Sequence, residues 1–439
     1  MHMPRPGIVE HPDDDLWDSL AAASRIAFEH FQGKVEQIIG VGLCTIRFCR
    51  VLLKADGSLA QPVMSWMDER VSKPYVHTDP EVGYVTTTSG YLAHRLTGQF
   101  SDAAGNYQGK WPINTDTWQW NEELESDDYK IPREMLFDLK LPSDVLGYVN
   151  KQAERKTSIP AGLPVIATSN DKAVEALGAG ALSPKTVIVS LGTYIAGMVH
   201  SRNNRKNAVN FWTNFASMPN LYLHESNGIR RGMWTISWFK SLLGEELLSK
   251  AAEQGVCPED YLNQIASEIP VGSEGLMTVL DWLAPEDAPF RKGMMIGFDG
   301  RHGQAHIFRS IIEGIAMTMK NHVDSMCTEL DSSIENLILT GGGSNSRLML
   351  QVFADVFGLP VNRNEVTGAA SLGSAICVAV ALKEYDSYHQ AIMHMVRIKD
   401  RFHPSTDNHV IYNDINAQLY KHLQTYTDKF LKQSAQFFA

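Results

Sequence analysis

The sequence predicts an α/β protein of two domains, each a sheet with helices on its faces. Two observations lead there. Residues 186–199 read as two β-branched strands joined at a glycine turn, and the chain then continues as alternating helices and strands; a hairpin followed by βαβα units makes a mixed sheet covered by helices. A chain of 439 residues, 44% hydrophobic and 20% charged, can also bury more than one core, so two domains are expected.

Each element has its own warrant. Residues 13–31 read as a helix, with acidic residues in the first turn and Leu16, Leu20, Ala23 and Ala27 on one face. Residues 37–43 read as a buried strand. Residues 51–54 and 61–64 flank Asp56-Gly57, a hairpin signal. A helix is expected over 82–96, a structured loop rich in aromatic, Asn and Gly residues over 100–120, and a short apolar strand over 165–167 that delivers Asp171 just past its end. The second half gives strands at 186–190, 194–199 and 221–224, helices at 233–243 and 306–330, and a strand at 336–339. The helix over 346–357 carries an apolar stripe of Leu348, Val352, Phe353 and Val356, and the Ala- and Gly-rich helix over 369–382 should pack closely on its neighbours.

Composition narrows the function. A formal charge of −11 and a pI near 5.8 argue against a nucleic-acid surface, which needs clustered Lys and Arg. Five scattered cysteines without a C-x-x-C pair point to a reducing cytoplasm, and no apolar run is long enough to imply a membrane. His302 and His306 have helical spacing but no third ligand, so they read as a solvated helix start and no metal ligands are assigned. Trp234 and Trp238 share a face and read as core; Arg309 and Glu313 read as a surface pair.

Three glycine-anchored segments carry the chemistry: Asn170-Asp171-Lys172 running on to Gly180, then Ser190-Leu191-Gly192-Thr193, then Gly341-Gly342-Gly343-Ser344-Asn345. The first offers a carboxylate where a strand meets a helix; the others offer backbone N–H groups where phosphates can approach without a side chain in the way. On spacing alone Asp171 is as well read as a helix N-cap, and Ser190 to Thr193 as an ordinary hairpin turn. Neither glycine segment is a Walker A loop, and Ser346 stands where a dinucleotide fingerprint needs its third glycine.

Taken in order with Pro6-Gly7-Ile8-Val9-Glu10, Ser65-Trp66-Met67-Asp68-Glu69-Arg70 and Leu96-Thr97-Gly98-Gln99-Phe100, these motifs resemble the FGGY family of carbohydrate kinases as far as about Leu382. The resemblance implies the two-domain actin-like (ribonuclease H-like) ATPase fold with a ligand cleft between the domains: a sugar-binding domain over 1–178 and a nucleotide-binding domain over 179–439. It implies transfer of the γ-phosphate of ATP, with Mg²⁺, to a hydroxyl of a sugar or polyol, and cleft closure that excludes water. Family members open with strands carrying an Asp-x-Gly-Thr loop. Here the helix over 13–31 comes first, so the first domain is expected to be incomplete at its N-terminus, lacking the strand that brings the Mg²⁺-linked Asp. An inactive homologue that binds sugar or nucleotide is therefore the alternative function.

The same resemblance implies the roles. Asp171 is the base. Ser190, Gly192 and Thr193 hold the terminal phosphates, and Gly341, Gly342, Gly343, Ser344 and Asn345 hold the α-phosphate and adenosine. Trp66, Asp68 and Arg70 form part of the sugar pocket, where a polyol wants charged hydrogen-bonding groups beside an apolar wall. Lys172 replaces an uncharged residue: its ammonium lowers the Asp171 pKa, touches an anionic substrate or is simply solvated. Leu43-Cys44-Thr45-Ile46-Arg47 replaces the usual substrate segment, and Asp102 fits the family's Thr-Asp position. Expected partners are the sugar and ATP, with a homodimer also admitted.

Overall fold

The structure is a computed structural model that describes residues 1–122, 131–285 and 287–437. An N-terminal hairpin, His2–Arg5 with Ile8–His11, pairs with Val63–Met64. Helix α1 (Asp15–Glu29) buries Trp17 and Ala21. Strand β1 (Val41–Leu43) is shorter than the sequence implies: Val35–Gln37 forms a 3₁₀ turn, and Gly42 brings β1 so close to a later helix that an added methyl would lie 2.6 Å from the Ser374 carbonyl oxygen.

The Asp56-Gly57 turn forms, with Gly57 at φ 81° and its N–H on the Lys54 carbonyl at 3.0 Å. Its arms touch only at Leu53/Leu59 and Arg50/Met64, because Val51–Leu53 instead pairs with Tyr84–Thr86. That ladder overturns the helix expected from residue 82: the β-branched Val85-Thr86 are strand, and helix α2 is Thr88–Thr97. Residues 100–120 are a structured segment, pinned by the buried rings of Tyr107, Trp111, Trp118 and Trp120. Strand β2 (Val145–Tyr148) runs antiparallel to β3 (Pro164–Ala167), and β3 runs parallel to β1. Helix α3 (Asp171–Ala179) follows β3.

The second domain is built on a seven-stranded mixed sheet. Strands β4 (Thr186–Leu191), β5 (Ile195–Ser201), β6 (Phe211–Phe215) and β7 (Tyr222–Ser226) form its antiparallel part in the order β6-β7-β5-β4. The sequence reading missed β6, whose Trp-Thr-Asn centre does not alternate. Helix α4 (Gly232–Glu253) is broken by a kink at Gly244 (φ 56°, ψ −143°), so its first part ends at Leu243 as expected and a second part, not read from the sequence, follows. Helix α5 (Gln304–Glu329) is the long core helix. Strand β8 (Asn336–Thr340) lies parallel to β4, and beyond it come helix α6 (Arg347–Phe357), the parallel strand β9 (Val361–Asn364), helix α7 (Ala369–Ala381) and the antiparallel edge strand β10 (Ile398–Phe402). Three further helices, Tyr388–Met395, Thr406–Gln418 and Leu423–Ala435, lie past the last element read from the sequence. Among the described residues no helix is long and apolar enough to cross a membrane.

Helix α3 lies against α7 backbone to backbone. A methyl added at Gly178 would sit 1.8 Å from the Ala369 carbonyl oxygen, and one at Gly373 would sit 2.0 Å from that of Val174. The small-residue composition of both helices is thus a requirement of contact.

Three surface and core readings are corrected. Arg309 and Glu313 are a buried pair, 7% and 2% exposed, because Tyr412 and the 272–273 turn close over them. Glu313 accepts from Arg309 Nε (2.8 Å), Tyr412 Oη (2.7 Å), Ser273 Oγ (2.8 Å) and Gly272 N (3.1 Å). His302 precedes the helix with a fully covered side chain whose Nδ1 accepts from Asp299 N at 2.8 Å. Trp234 is half-buried under Arg231 and outside the core, whereas Trp238, against Trp282, packs on the core as expected.

Two outcomes check this packing. Gly178→Ala should lower Tm by roughly 5 °C or more, since overpacking costs about 1–3 kcal/mol and often more against rigid backbone; an unchanged calorimetric transition would refute the contact. Glu313→Ala leaves a buried guanidinium without its counter-ion and should cost about 3–5 kcal/mol, read as an earlier urea midpoint. A midpoint that stays put would show that Arg309 does not need the carboxylate.

Candidate active site

Parallel pairing of β4 and β8 puts Ser190 opposite Thr340, so the two glycine segments leave the sheet side by side. Beyond Ser190 and Leu191, the Gly192-Thr193 turn leads into β5. Its carbonyls accept the first N–H groups of α4: Gly232 N on Thr193 O at 2.8 Å and Met233 N on Gly192 O at 3.2 Å. Beyond Thr340, Gly341 has φ 77°, and a methyl there would lie 2.7 Å from the Leu191 carbonyl oxygen. Only glycine fits this turn. Residues Gly342–Asn345 make a 3₁₀ turn closed by the Ser344 hydroxyl on Gly341 O (2.7 Å), and Arg363 donates to the Ser344 and Asn345 carbonyls. Ser346 then caps α6 through the Met349 N–H. Alongside opens a cavity of about 1190 Å³ bordered by Asn263, Asn345, Ser346, Arg347 and Arg363.

Asp171 is the first residue of α3, but the cap is its neighbour. Asn170 Oδ1 accepts from Ala173 N (3.2 Å), and the Asn170 amide is fixed by Gly105 O and Asn214 at 2.9 Å each. The Asp171 carboxylate is therefore free of the capping duty that its position allows, and its Oδ1 is buried with no hydrogen-bond partner. Burial pushes the carboxyl above its ordinary value of 3.8; Arg47 and Lys172 draw it down, and Glu175 adds to the rise.

Arg47, the last residue of the segment that stands in place of the usual substrate segment, had no role assigned from the sequence. It reaches from the loop after β1 to Glu225 on β7 with two parallel bonds of 2.8 and 2.7 Å, and it lies 4.7 Å from the Trp212 ring centre. Burial opposes its charge, yet Glu225 outweighs this and holds the guanidinium above its ordinary pKa. The pair joins the two domains beside Asp171. Lys172 is not solvated: its ammonium bonds Ser190 Oγ and lies 3.3 Å from Glu175 Oε2.

The Trp66 segment is organised differently. Asp68 is buried, accepting from Val9 N (2.8 Å) and from the Arg70 backbone and guanidinium (2.8–2.9 Å), and Arg70 also donates to Glu10 at 2.6 Å. These bonds fasten the N-terminal hairpin and leave Trp66 51% exposed. Cys49 feels both regions: burial pushes its thiol up to about 12, a hydrogen bond from the Trp66 backbone opposes this, and the Asp171 charge adds to the rise. Asp102 is closed off, accepting from Thr87 Oγ1, Ser89 Oγ, Ala103 N and Asn106 Nδ2. Among the described residues no group of three or more His, Cys, Asp and Glu side chains could hold a metal ion.

Residues 187–382 match the model of the FGGY family of carbohydrate kinases, C-terminal domain. An uncharacterized sugar kinase of Escherichia coli (strain K12), YgcE, is 50% identical over 435 residues, covering 99% of this chain and 88% of that protein. The xylulose kinase of Lactococcus lactis is 25% identical over 86% of this chain and 72% of its own length. The crystal structure of xylulose kinase from Rhodospirillum rubrum superposes with a TM-score of 0.82 at 20% identity, covering 98% of this chain and 93% of that one. Plasmodium falciparum glycerol kinase with ADP gives 0.77 at 16%, covering 96% and 92%. The fold is the two-domain actin-like ATPase fold, and with half its residues shared with a sugar kinase along almost its whole length, the chain belongs to the FGGY family of carbohydrate kinases.

Proposed function

We propose that this chain transfers the γ-phosphate of ATP to a hydroxyl of a sugar or polyol. The observation that carries the reading is the Asp171 carboxylate: one oxygen buried and unbonded, at a helix start whose capping is done by Asn170, and next to the residue that bonds Ser190 of the first glycine segment. A general base needs a free oxygen within reach of the hydroxyl that it deprotonates. In the transfer, the substrate oxygen bonds to the γ-phosphorus as its proton passes to Asp171, the bond from phosphorus to the β–γ bridging oxygen breaks, and ADP leaves with that oxygen.

The nucleotide fits the second domain. Gly192 and Thr193 take the terminal phosphates. The turn Gly341 to Asn345 takes the α-phosphate, since nothing lies within 4 Å of where a Gly342 side chain would be, and the neighbouring cavity suits the adenosine. Bound with the nucleotide, Mg²⁺ would neutralise the charge of its phosphates, and since the described residues offer no dedicated metal cluster it would be held chiefly by the phosphates themselves. On the sugar side, Trp66 supplies an apolar wall, Asp68 and Arg70 hold it in place, and the Arg47–Glu225 pair borders the pocket beside the base. The reaction takes place in the cytoplasm.

The test is ATP consumption by the purified chain with Mg²⁺ against a panel of pentoses, hexoses, polyols and sugar acids. Turnover with one of them is expected; tight ATP binding without turnover would favour a binding protein. Asp171→Asn should cut the sugar-dependent rate by roughly 100-fold or more, and an undiminished rate would remove the base assignment. Because the base must be ionised, activity should fall as pH drops through the Asp171 pKa. Burial places that acid limb above the range of an exposed aspartate. A limb at or below 3.8 would contradict it.

A further inference from the structure

Asp171 shares the first turns of α3 with two residues of opposite charge, and both turn towards the sheet. The Lys172 ammonium donates to Ser190 Oγ and lies 3.3 Å from Glu175 Oε2; Ser190 Oγ donates to the same Glu175 oxygen at 2.9 Å, and Thr340 Oγ1 donates to Oε1 at 2.7 Å. The side chains of Lys172 and Glu175 are only 14% and 13% exposed. An ordinary surface pair at this helical spacing would be solvated and bound to nothing else. Here the pair closes a network with the two hydroxyls that stand opposite each other on β4 and β8, just before the glycine segments.

We propose that Lys172, with Glu175 as its counter-ion, is a positioning residue for the transfer: it fastens the helix that carries the base to both nucleotide-binding turns, and it keeps a positive charge beside Asp171. This rests on the reading of Asp171 as the base. Helix, strand and strand meet at one polar knot, so the distance between base and phosphates is fixed by side-chain bonds that span 15 to 165 residues of sequence.

The charges facing Asp171 are few. Arg47 comes from the loop after β1 and is itself paired with Glu225; Lys172 and Glu175 come from the base's own helix; the thiols of Cys44 and Cys49 lie on the first-domain side. Lys172 favours the carboxylate and Glu175 opposes it. The two members of one ion pair therefore act on Asp171 with opposite sign, so neutralising either one alone leaves the other's charge uncompensated beside the base.

The test is the titration of Asp171 in the full chain, with aspartate ¹³C-labelled at the side-chain carboxyl and Asp171→Asn supplying the assignment. In Lys172→Met the midpoint should rise, and in Glu175→Gln it should fall, each by roughly one unit; Lys172→Arg, which keeps the charge, should stay near the parent. The acid limb of kcat/KM should follow the same order. Midpoints that do not move, or that move the same way in both neutral variants, would overturn the proposal. If Lys172→Met does not fold, Glu175→Gln and Lys172→Arg still decide it: a fall in the first with no change in the second supports the role, and any other pair of results refutes it. An Asp171→Asn variant that still turned over would remove the base assignment, whereas unmoved midpoints beside an inactive Asp171→Asn would remove the role of Lys172 alone.

Discussion

Helices α3 and α7 approach until main chain meets main chain, because Gly178 and Gly373 face each other with no side chain between them. The position of α3 follows from that contact, and the site follows from the position of α3. Its N-terminal turn carries Asp171, with Lys172 and Glu175 on the side that meets β4 and β8. Were the helices held apart by even one methyl, α3 would shift relative to the sheet by more than a hydrogen bond can stretch, and Glu175 could not reach Ser190 and Thr340 together. A packing constraint at one end of a nine-residue helix thus sets the chemistry at the other.

The carboxylates named here are bonded by cations or by neutral donors, with one exception. Arg47 is matched by Glu225, Lys172 by Glu175, Arg70 by Asp68 and Glu10. Asp102, another buried carboxylate, is saturated by hydroxyl and N–H donors. Asp171 alone of these carboxylates keeps a buried oxygen without a donor. Burying such an oxygen is costly unless something arrives to bond it, and a substrate hydroxyl is a donor of the right kind.

Much of the second domain was legible because its signals are local. The β-branched run before Gly192, the apolar stripe of α6 and the glycine turn at Gly341 each announce themselves within a few residues. Asp171 was legible as a carboxylate at a strand–helix junction, although residue preference could not say whether it caps the helix; the cap is Asn170, whose amide is anchored from residues 65 and 44 positions away. The Arg47–Glu225 pair spans 178 positions, and nothing near either residue marks the other. Burial of Arg309 and Glu313 depends likewise on Tyr412, in a helix that the sequence reading did not reach. In the first domain the ladders join segments distant in sequence, so hairpin and helix signals there gave the right turns with the wrong partners.

The aromatic segment over 100–120 reaches past its own domain. Trp118 packs on Phe215 with ring centres 4.3 Å apart, Tyr222 donates to Thr115 O at 2.8 Å, and Lys206 pairs with Asp116. Tyr107, Trp111 and Trp120 share one dry cluster with these second-domain rings. Rings packed in this way fit only one another's shapes, so the joint fixes the position of the 100–120 segment on the second domain as well as holding it there. Separating the domains would bare these rings to water together, so their association is held by burial at this joint as well as by the charge of the Arg47–Glu225 pair.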